Sequence, residues 1–276
     1  MFTEISSKGY VVTYYDKKYE RCIVTHENAT HTFWDKEWEK YKESVKYPTK
    51  LPSYDPYLIL TQKYLKTSSK ILEGGCGLSY YSYIWHLAGY KTVALDYAQK
   101  TIEHLIQTIP QINPIYGDLR DIPFAENTFD GYWSLGVIEH FWDGYDDLKV
   151  EMFRVLRNEG VLFLTFPHMS FIRKLKAFLG KYPSYIEQKE PENFYQFFMN
   201  EKSVVYDFES SGFTLLGKYR QGALKGFLDE VPQLAFMIQY LRNGNSFWKR
   251  ILRGLFDRYL TFFFSHTIIL VFRVNK

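Results

Sequence analysis

The chain has 276 residues, 34 basic and 31 acidic, for a formal net charge of +3. That length suits one large α/β domain with elaborations or two small domains, and 46% hydrophobic residues can bury a sizeable core. The near-balance of charge calls for no polyanionic partner and argues against nucleic acid. Two cysteines, Cys22 and Cys76, exclude a disulfide framework, and no Cys/His cluster has zinc spacing, so no metal is expected.

Aromatic residues are abundant, with 24 Tyr, 23 Phe and 6 Trp, which suit both cores and pockets of mixed polarity. Residues 1–50 are polar and aromatic. Phe33, Trp34, Glu37, Trp38 and Tyr41 recur at helical spacing and predict an N-terminal helical cap. Pro48, Pro52 and Pro56 then mark a boundary, and the main domain is expected over 51–276.

From Tyr57 the pattern alternates. Helices are predicted over Tyr57–Leu65, Ser79–Ala88, Gln99–Thr108 and Tyr145–Leu156. Strands are predicted over Lys70–Glu73, Lys91–Asp96, Ile115–Tyr116, Phe129–Ser134 and Val161–Phe166. Such β-α alternation implies a parallel sheet with helices on both faces. After Pro167 the rhythm breaks. Ser170–Leu179 reads as a helix, 181–199 as an aromatic loop, Ser203–Ser210 as a helix and Phe213–Tyr219 as a strand. Leu224–Leu241 and Phe247–Tyr259 read as helices and His266–Val274 as a final strand. The N-terminus has no basic-then-apolar leader, and the apolar stretch Phe262–Val274 is too short to span a bilayer as a helix, so a soluble, cytoplasmic setting is expected.

The chemistry-bearing segment is Glu73-Gly74-Gly75-Cys76-Gly77, where the first strand runs into a turn. Ligands of open parallel sheets bind beyond the carboxyl ends of the strands. Glycines let the backbone approach a ligand closely, and the following helix offers free N–H groups. A nicotinamide fingerprint fails at Tyr80, and no Gly-Lys-Ser/Thr phosphate loop is present. Glu73 would repel a pyrophosphate but attract an ammonium group, so the expected ligand is cationic or zwitterionic there. Asp96, ending the second strand, is placed to accept from a ribose diol; capping of the following helix is the plainer alternative.

Ile71 to Ser79, Val93-Ala94-Leu95-Asp96, Gly117-Asp118-Leu119, Phe129 to His140 and Glu151 to Leu162, taken in order, resemble the class I S-adenosylmethionine-dependent methyltransferases. The resemblance covers about residues 57–167 and implies a Rossmann-like seven-stranded sheet with helices on both faces and the last strand antiparallel. The helical N-terminal region and a C-terminal helical insertion would be additions to it. It implies that Glu73 takes the methionine ammonium of S-adenosylmethionine and that Gly75 and Gly77 pass beneath the methionine moiety. Asp96 would hold the ribose, Tyr97 flank the adenine, and Asp118 and Leu119 bond the adenine edge. Ser134 and Leu135 would contact the methionine end. The family commonly has a third glycine where this chain has Ser79.

Methyl transfer is an in-line displacement that leaves a neutral thioether, S-adenosylhomocysteine, and asks mostly for positioning and desolvation. A hydroxyl acceptor would benefit from a base, and His140, after the fourth strand, is the first candidate. His168, just past the fifth, is the second. The acceptor is expected to be a small molecule offering oxygen, nitrogen or carbon, in a pocket built from variable segments at 10–50, 168–199 and 221–262. Lys218, Arg220, Lys225, Arg242, Lys249, Arg250, Arg253 and Arg258 admit an anionic acceptor, although a charge run is more often a solvated face. Two alternatives stand beside this reading: a non-catalytic adenosyl-ligand module or partner subunit, and an RNA or DNA methyltransferase.

Overall fold

The computed structural model describes residues 11–187, 189–234 and 246–276. In chain order the elements are β1 Val12–Asp16, β2 Arg21–Thr25, α1 His31–Tyr41, α2 Pro56–Tyr64, β3 Lys70–Gly74 and α3 Tyr80–Leu87. They continue with β4 Lys91–Asp96, α4 Gln99–Thr108, β5 Pro114–Tyr116, β6 Phe129–Leu135, α5 Asp146–Val155 and β7 Leu156–Pro167. The last are α6 Phe171–Phe178, β8 Phe194–Phe198, α7 Glu201–Glu209, β9 Phe213–Gln221, α8 Ala223–Glu230, α9 Phe247–Phe264 and β10 Thr267–Val274.

Seven strands form one sheet in the order β5-β4-β3-β6-β7-β10-β9. The first five run parallel. The run Val161–Phe166 is buried throughout, as expected of a parallel strand covered on both faces. β10 enters the other way. His168 at the end of β7 donates its N–H to His266, while Lys276 donates to Asn158 at the start of β7. β9 is antiparallel to β10 by the same test, since His266 N–H reaches Gln221 and Asn275 N–H reaches Gly212. This is the Rossmann-like sheet expected. Strand order reverses at β3, with β4 and β5 on one side and β6 onward on the other, so the crevice lies at the carboxyl ends of β3, β4 and β6. Register sets Gly74 beside Leu95 and Ser134 at that edge.

The chain divides into two compact units. One comprises 28–165, 205–217 and 270–276 and holds the glycine turn. Its core is built on Trp133, whose ring stacks on Phe163 at 4.2 Å and on Trp85 at 5.3 Å, with Nε1 donating to Thr61. Helix starts are set locally. Thr30 Oγ accepts from Phe33 N–H at α1, and Asp55 accepts from Leu58 N–H at α2, where Pro56 takes the first turn.

The other unit comprises 1–27, 166–204 and 218–269. Here the sequence misled in one place. The stretch 181–199, expected as a loop, contains β8, which pairs antiparallel with β2 in a three-stranded sheet β1-β2-β8. The hairpin β1-β2 precedes the expected helix α1. Neither was visible as period-two alternation, because Val12–Tyr15 are uniformly half-buried and Phe194–Phe198 is aromatic on both faces. This unit also holds a buried ionic network. Arg173, fully buried, donates to Glu230 at 2.8 Å, to His266 Nδ1 at 3.0 Å and to the carbonyls of His168 and His266, and lies over the Phe198 ring. α8 ends at Glu230 rather than continuing, with Pro232 close behind; the remainder of the helix expected to Leu241 lies outside the described residues.

Candidate active site

The turn after β3 is pinned to the end of β4. Gly75 and Cys76 donate their N–H groups to Leu95 O at 2.8 and 3.1 Å, and Gly77 donates to Asp96 Oδ2 at 2.8 Å. Gly75 and Gly77 have φ of +73° and +49°. A Cβ on Gly77 would stand 2.6 Å from the Trp38 indole, and one on Gly75 would stand 2.6 Å from Val137. The turn therefore needs glycine twice over, for conformation and for space. Ser79, where the resemblance puts a third glycine, is also left-handed, at φ +54°. Its hydroxyl donates to Glu73 at 3.3 Å, which offsets part of the strain.

Glu73 is buried, and its Oε2 accepts from Ser82 N–H at 3.0 Å and Ser82 Oγ at 2.5 Å. Burial pushes its carboxyl up to about 7, against the pull of those donors. Asp96 is buried too, and burial raises its protonation point, opposed by backbone donors; the Asp35 charge adds to the rise. Its two oxygens each take one backbone N–H, from Gly77 and from Ala98 at 2.9 Å. Asp96 thus steadies the turn rather than capping the first free N–H groups of α4.

Tyr97 is half-buried and donates to Ala29 O at 3.1 Å, and burial pushes its hydroxyl up to about 12. Asp118 is half-exposed and forked by Arg120, whose guanidinium holds its carboxyl below the usual range. Leu119 is buried against Gly74. On the β6 side, Ser134 is buried with an unpartnered Oγ, and Leu135 is half-buried. A short 3-10 turn follows, Ile138–His140.

That turn holds two groups. His140 is half-buried, its ring edge-on to Trp34 at 5.1 Å. Glu139 is buried, its Oε2 has no hydrogen-bond partner among the described residues, and burial pushes it up to about 8. His168, the second candidate base, belongs to the other unit. It is buried, bonds Ser265 Oγ through Nε2 at 2.8 Å, and is pushed down to about 3 by burial and Arg173.

Sequence reasoning missed Trp34, Trp38, Asp35 and Glu139. The two tryptophans stack at 5.5 Å on one face of α1, four residues apart, and bring helix α1 to Gly77 and His140. Their spacing signalled a helix but not its neighbour. Glu139 was visible only as the residue before His140.

The site carries several buried acceptors: Glu73, Asp96, Glu139, Ser134 Oγ and the unpartnered Asp35 Oδ1. It has a glycine floor and a tryptophan above it. Such a carboxyl-rich cluster fits a ligand with positive charge and hydroxyls and does not fit a phosphate. The methyltransferase domain family matches residues 72–164, which run from β3 through β7 and include every one of these groups except Asp35.

Over residues 72–164 the chain carries a methyltransferase domain, similar to those of S-adenosylmethionine-dependent methyltransferases. The family's cofactor is S-adenosylmethionine. The chain is 32% identical over 98 residues to a Mycolicibacterium smegmatis protein named "Probable S-adenosylmethionine-dependent methyltransferase", covering 36% of the chain and 38% of the relative. It is 32% identical over 65 residues to the malonyl-[acyl-carrier protein] O-methyltransferase of Erwinia pyrifoliae, covering 24% and 25%. The matches thus span well under two thirds of these curated relatives. Among solved structures, phosphoethanolamine N-methyltransferase 2 of Haemonchus contortus, in complex with phosphomonomethylethanolamine and S-adenosylhomocysteine, shares the fold. Its TM-score is 0.52 at 16% identity, covering 87% of the methyltransferase and 57% of that chain.

Proposed function

We propose that this methyltransferase carries the methyl group of S-adenosylmethionine to a small-molecule acceptor, with the cofactor seated on the Gly75–Gly77 turn. One observation carries the reading: Glu73 and Asp96, electrostatically coupled to each other, are buried carboxyls with raised protonation points at the ends of adjacent strands. Burying carboxylates without a cation is costly. A ligand with an ammonium and a sulfonium offsets that cost, whereas a phosphate would add to it.

Bound there, S-adenosylmethionine supplies a sulfonium methyl whose in-line displacement leaves a neutral thioether. Glu73 would hold the ammonium, and Asp96 the ribose hydroxyls through lone pairs that Gly77 and Ala98 leave open. Tyr97 would flank the adenine, Asp118 and Leu119 its edge, and Ser134 and Leu135 the methionine end. Trp34 and Trp38 exclude water from the turn, which strengthens each of these contacts. We assign the base for a hydroxyl acceptor to His140, whose ring stands edge-on to Trp34. His168 then serves the buried network through Ser265. A carbanion or unprotonated amine would need no such base.

The acceptors named for the two relatives differ in the atom methylated, so kinship does not choose between oxygen and nitrogen. Lys218 and Arg220 pair with Glu201, and Lys225 with Asp229, so part of the basic bias is spent internally. Arg242 and the side chains of Arg250, Arg253 and Arg258 lie outside the described residues. Calorimetric titration with S-adenosylmethionine and S-adenosylhomocysteine tests the reading. Micromolar binding of both is expected, followed by methyl transfer within an acceptor panel. Absence of binding by folded protein overturns it, and binding without turnover favours the adenosyl-ligand module instead.

A further inference from the structure

Helix α9 turns large apolar side chains outward. Trp248, Leu252, Leu255, Tyr259, Phe262 and Phe263 are all exposed, from 40% for Phe263 to 70% for Trp248. Trp248 to Phe262 follow steps of four, three, four and three, and Phe263 lies four past Tyr259, which makes one continuous stripe of an α-helix. Helix α6 does the same with Phe171, Leu175, Phe178 and Leu179, Phe178 being 86% exposed. The stripes join, because the Phe171 ring meets Phe263 at 5.4 Å and Phe262 at 6.1 Å. Both helices belong to the same compact unit. Single exposed apolar residues are ordinary, but two merged helical stripes of them mark a surface that something covers.

The charges beside the stripes indicate what. α6 has no acidic residue, and Lys174 and Lys181 stand exposed along and just after it. The sequence of α9 is basic overall, with four Lys and Arg against one acid, and Lys249 is the one of these whose side chain is among the described residues. Aromatic and aliphatic side chains on an outward face, accompanied by lysine and arginine, are the composition of a helix lying in a bilayer interface over anionic headgroups. Trp248 and Tyr259 are the residue types that settle at that depth. Among the described residues no helix is long and apolar enough to cross a membrane, so the contact is with the surface.

We propose that the joined α6–α9 face docks on an anionic lipid bilayer. The proposal does not depend on the cofactor reading, since none of its residues lies at the glycine turn. Sedimentation with phosphatidylcholine vesicles, with and without added phosphatidylglycerol, tests it on the full chain at low salt. Partition onto the anionic vesicles and not the zwitterionic ones is expected. The pair Lys174→Glu, Lys181→Glu should lower that partition about tenfold or more. The pair Phe178→Ser, Leu179→Ser should lower it comparably, with unchanged circular dichroism because both residues are exposed. Tyr54→Ser, an exposed aromatic in the other unit, should leave it intact. No partition at low salt overturns the proposal, as does equal partition onto both vesicle types. A dimer in sedimentation velocity that the Phe178→Ser, Leu179→Ser pair dissolves, without vesicle binding, would assign the face to a second copy and overturn it equally.

Discussion

The indole of Trp38 lies across the backbone of Gly77, so close that any Cβ there would stand 2.6 Å from the ring. The residue at the centre of the glycine turn and a helix outside the matched family domain are thereby fitted to each other. Gly77→Ala should cost about 1–3 kcal/mol of stability, from a left-handed φ and an overpacked contact together. Urea unfolding measures this, and a loss below about 0.5 kcal/mol would mean that α1 moves aside freely. Trp38→Ala in the same background should recover part of the loss.

With Glu73 as the proposed holder of the ammonium, cofactor binding should depend on pH. Its carboxyl is pushed up to about 7, so part of the population is protonated near neutrality. A bound ammonium favours the ionised form. Affinity for S-adenosylmethionine should therefore rise with pH through about 7, with a proton released on binding. Calorimetry in buffers of different ionisation enthalpy reads that proton directly. Glu73→Gln should abolish its release and weaken binding.

Glu139 acts on the stability of the ligand-free protein. Its protonation point rises from an ordinary glutamate value to about 8 on folding, because it is buried and its Oε2 has no partner among the described residues. A raised value stabilises the fold at low pH, and the stabilisation is lost as pH climbs from the unfolded value through about 8. Thermal melts between about pH 4.5 and pH 8, the window this sets, should fall with pH in the parent and fall less in Glu139→Gln. An identical slope in both would show that Glu139 ionises freely. Turnover of a hydroxyl acceptor should drop about a hundredfold in His140→Ala.

Ser79 occupies a conformation that costs an L-residue roughly 1 kcal/mol, and recovers some of it through a long hydrogen bond to Glu73. Ser79→Gly should leave stability within about 0.5–1 kcal/mol of the parent, with the sign set by which contribution is larger. A loss well beyond that, in chemical denaturation, would show that the hydroxyl matters more to Glu73 than its 3.3 Å geometry indicates.

Arg173 should be among the least replaceable residues of its unit. Truncation to Ala would leave Glu230 in the interior with only Lys176 and Tyr182 as partners, and would leave the carbonyls of His168 and His266 without the guanidinium. A loss of about 3–5 kcal/mol is expected by chemical denaturation. Arg173→Met paired with Glu230→Gln should cost markedly less, since it removes the charges together.

The sheet was legible in the sequence because its strands are short apolar runs bounded by turn residues: Gly74 and Asp96 end β3 and β4, and Gly117-Asp118 follows β5. The turn and Glu73 were legible for the same reason. What stayed hidden was set by distant parts of the chain. β8 is a strand because β2 lies beside it, and no local pattern in Phe194–Phe198 announces that. Trp38 reads as one more apolar position of a helix until Gly77 appears beneath it. The pairing of Asp118 with Arg120, two residues on, was local and went unread because a cofactor role already explained the aspartate.

The division of the chain has a practical edge. The backbone passes from one unit to the other after Glu27, Thr165, Val204, Gly217 and Ile269. Neither unit is therefore a continuous stretch that can be cut out and produced alone. A fragment ending near residue 165 would hold the whole glycine turn yet lack β10, the strand that seals β7. Limited proteolysis at any of these passages should release pieces that do not survive as folded bodies, so dissection of this protein belongs to point substitution rather than to truncation.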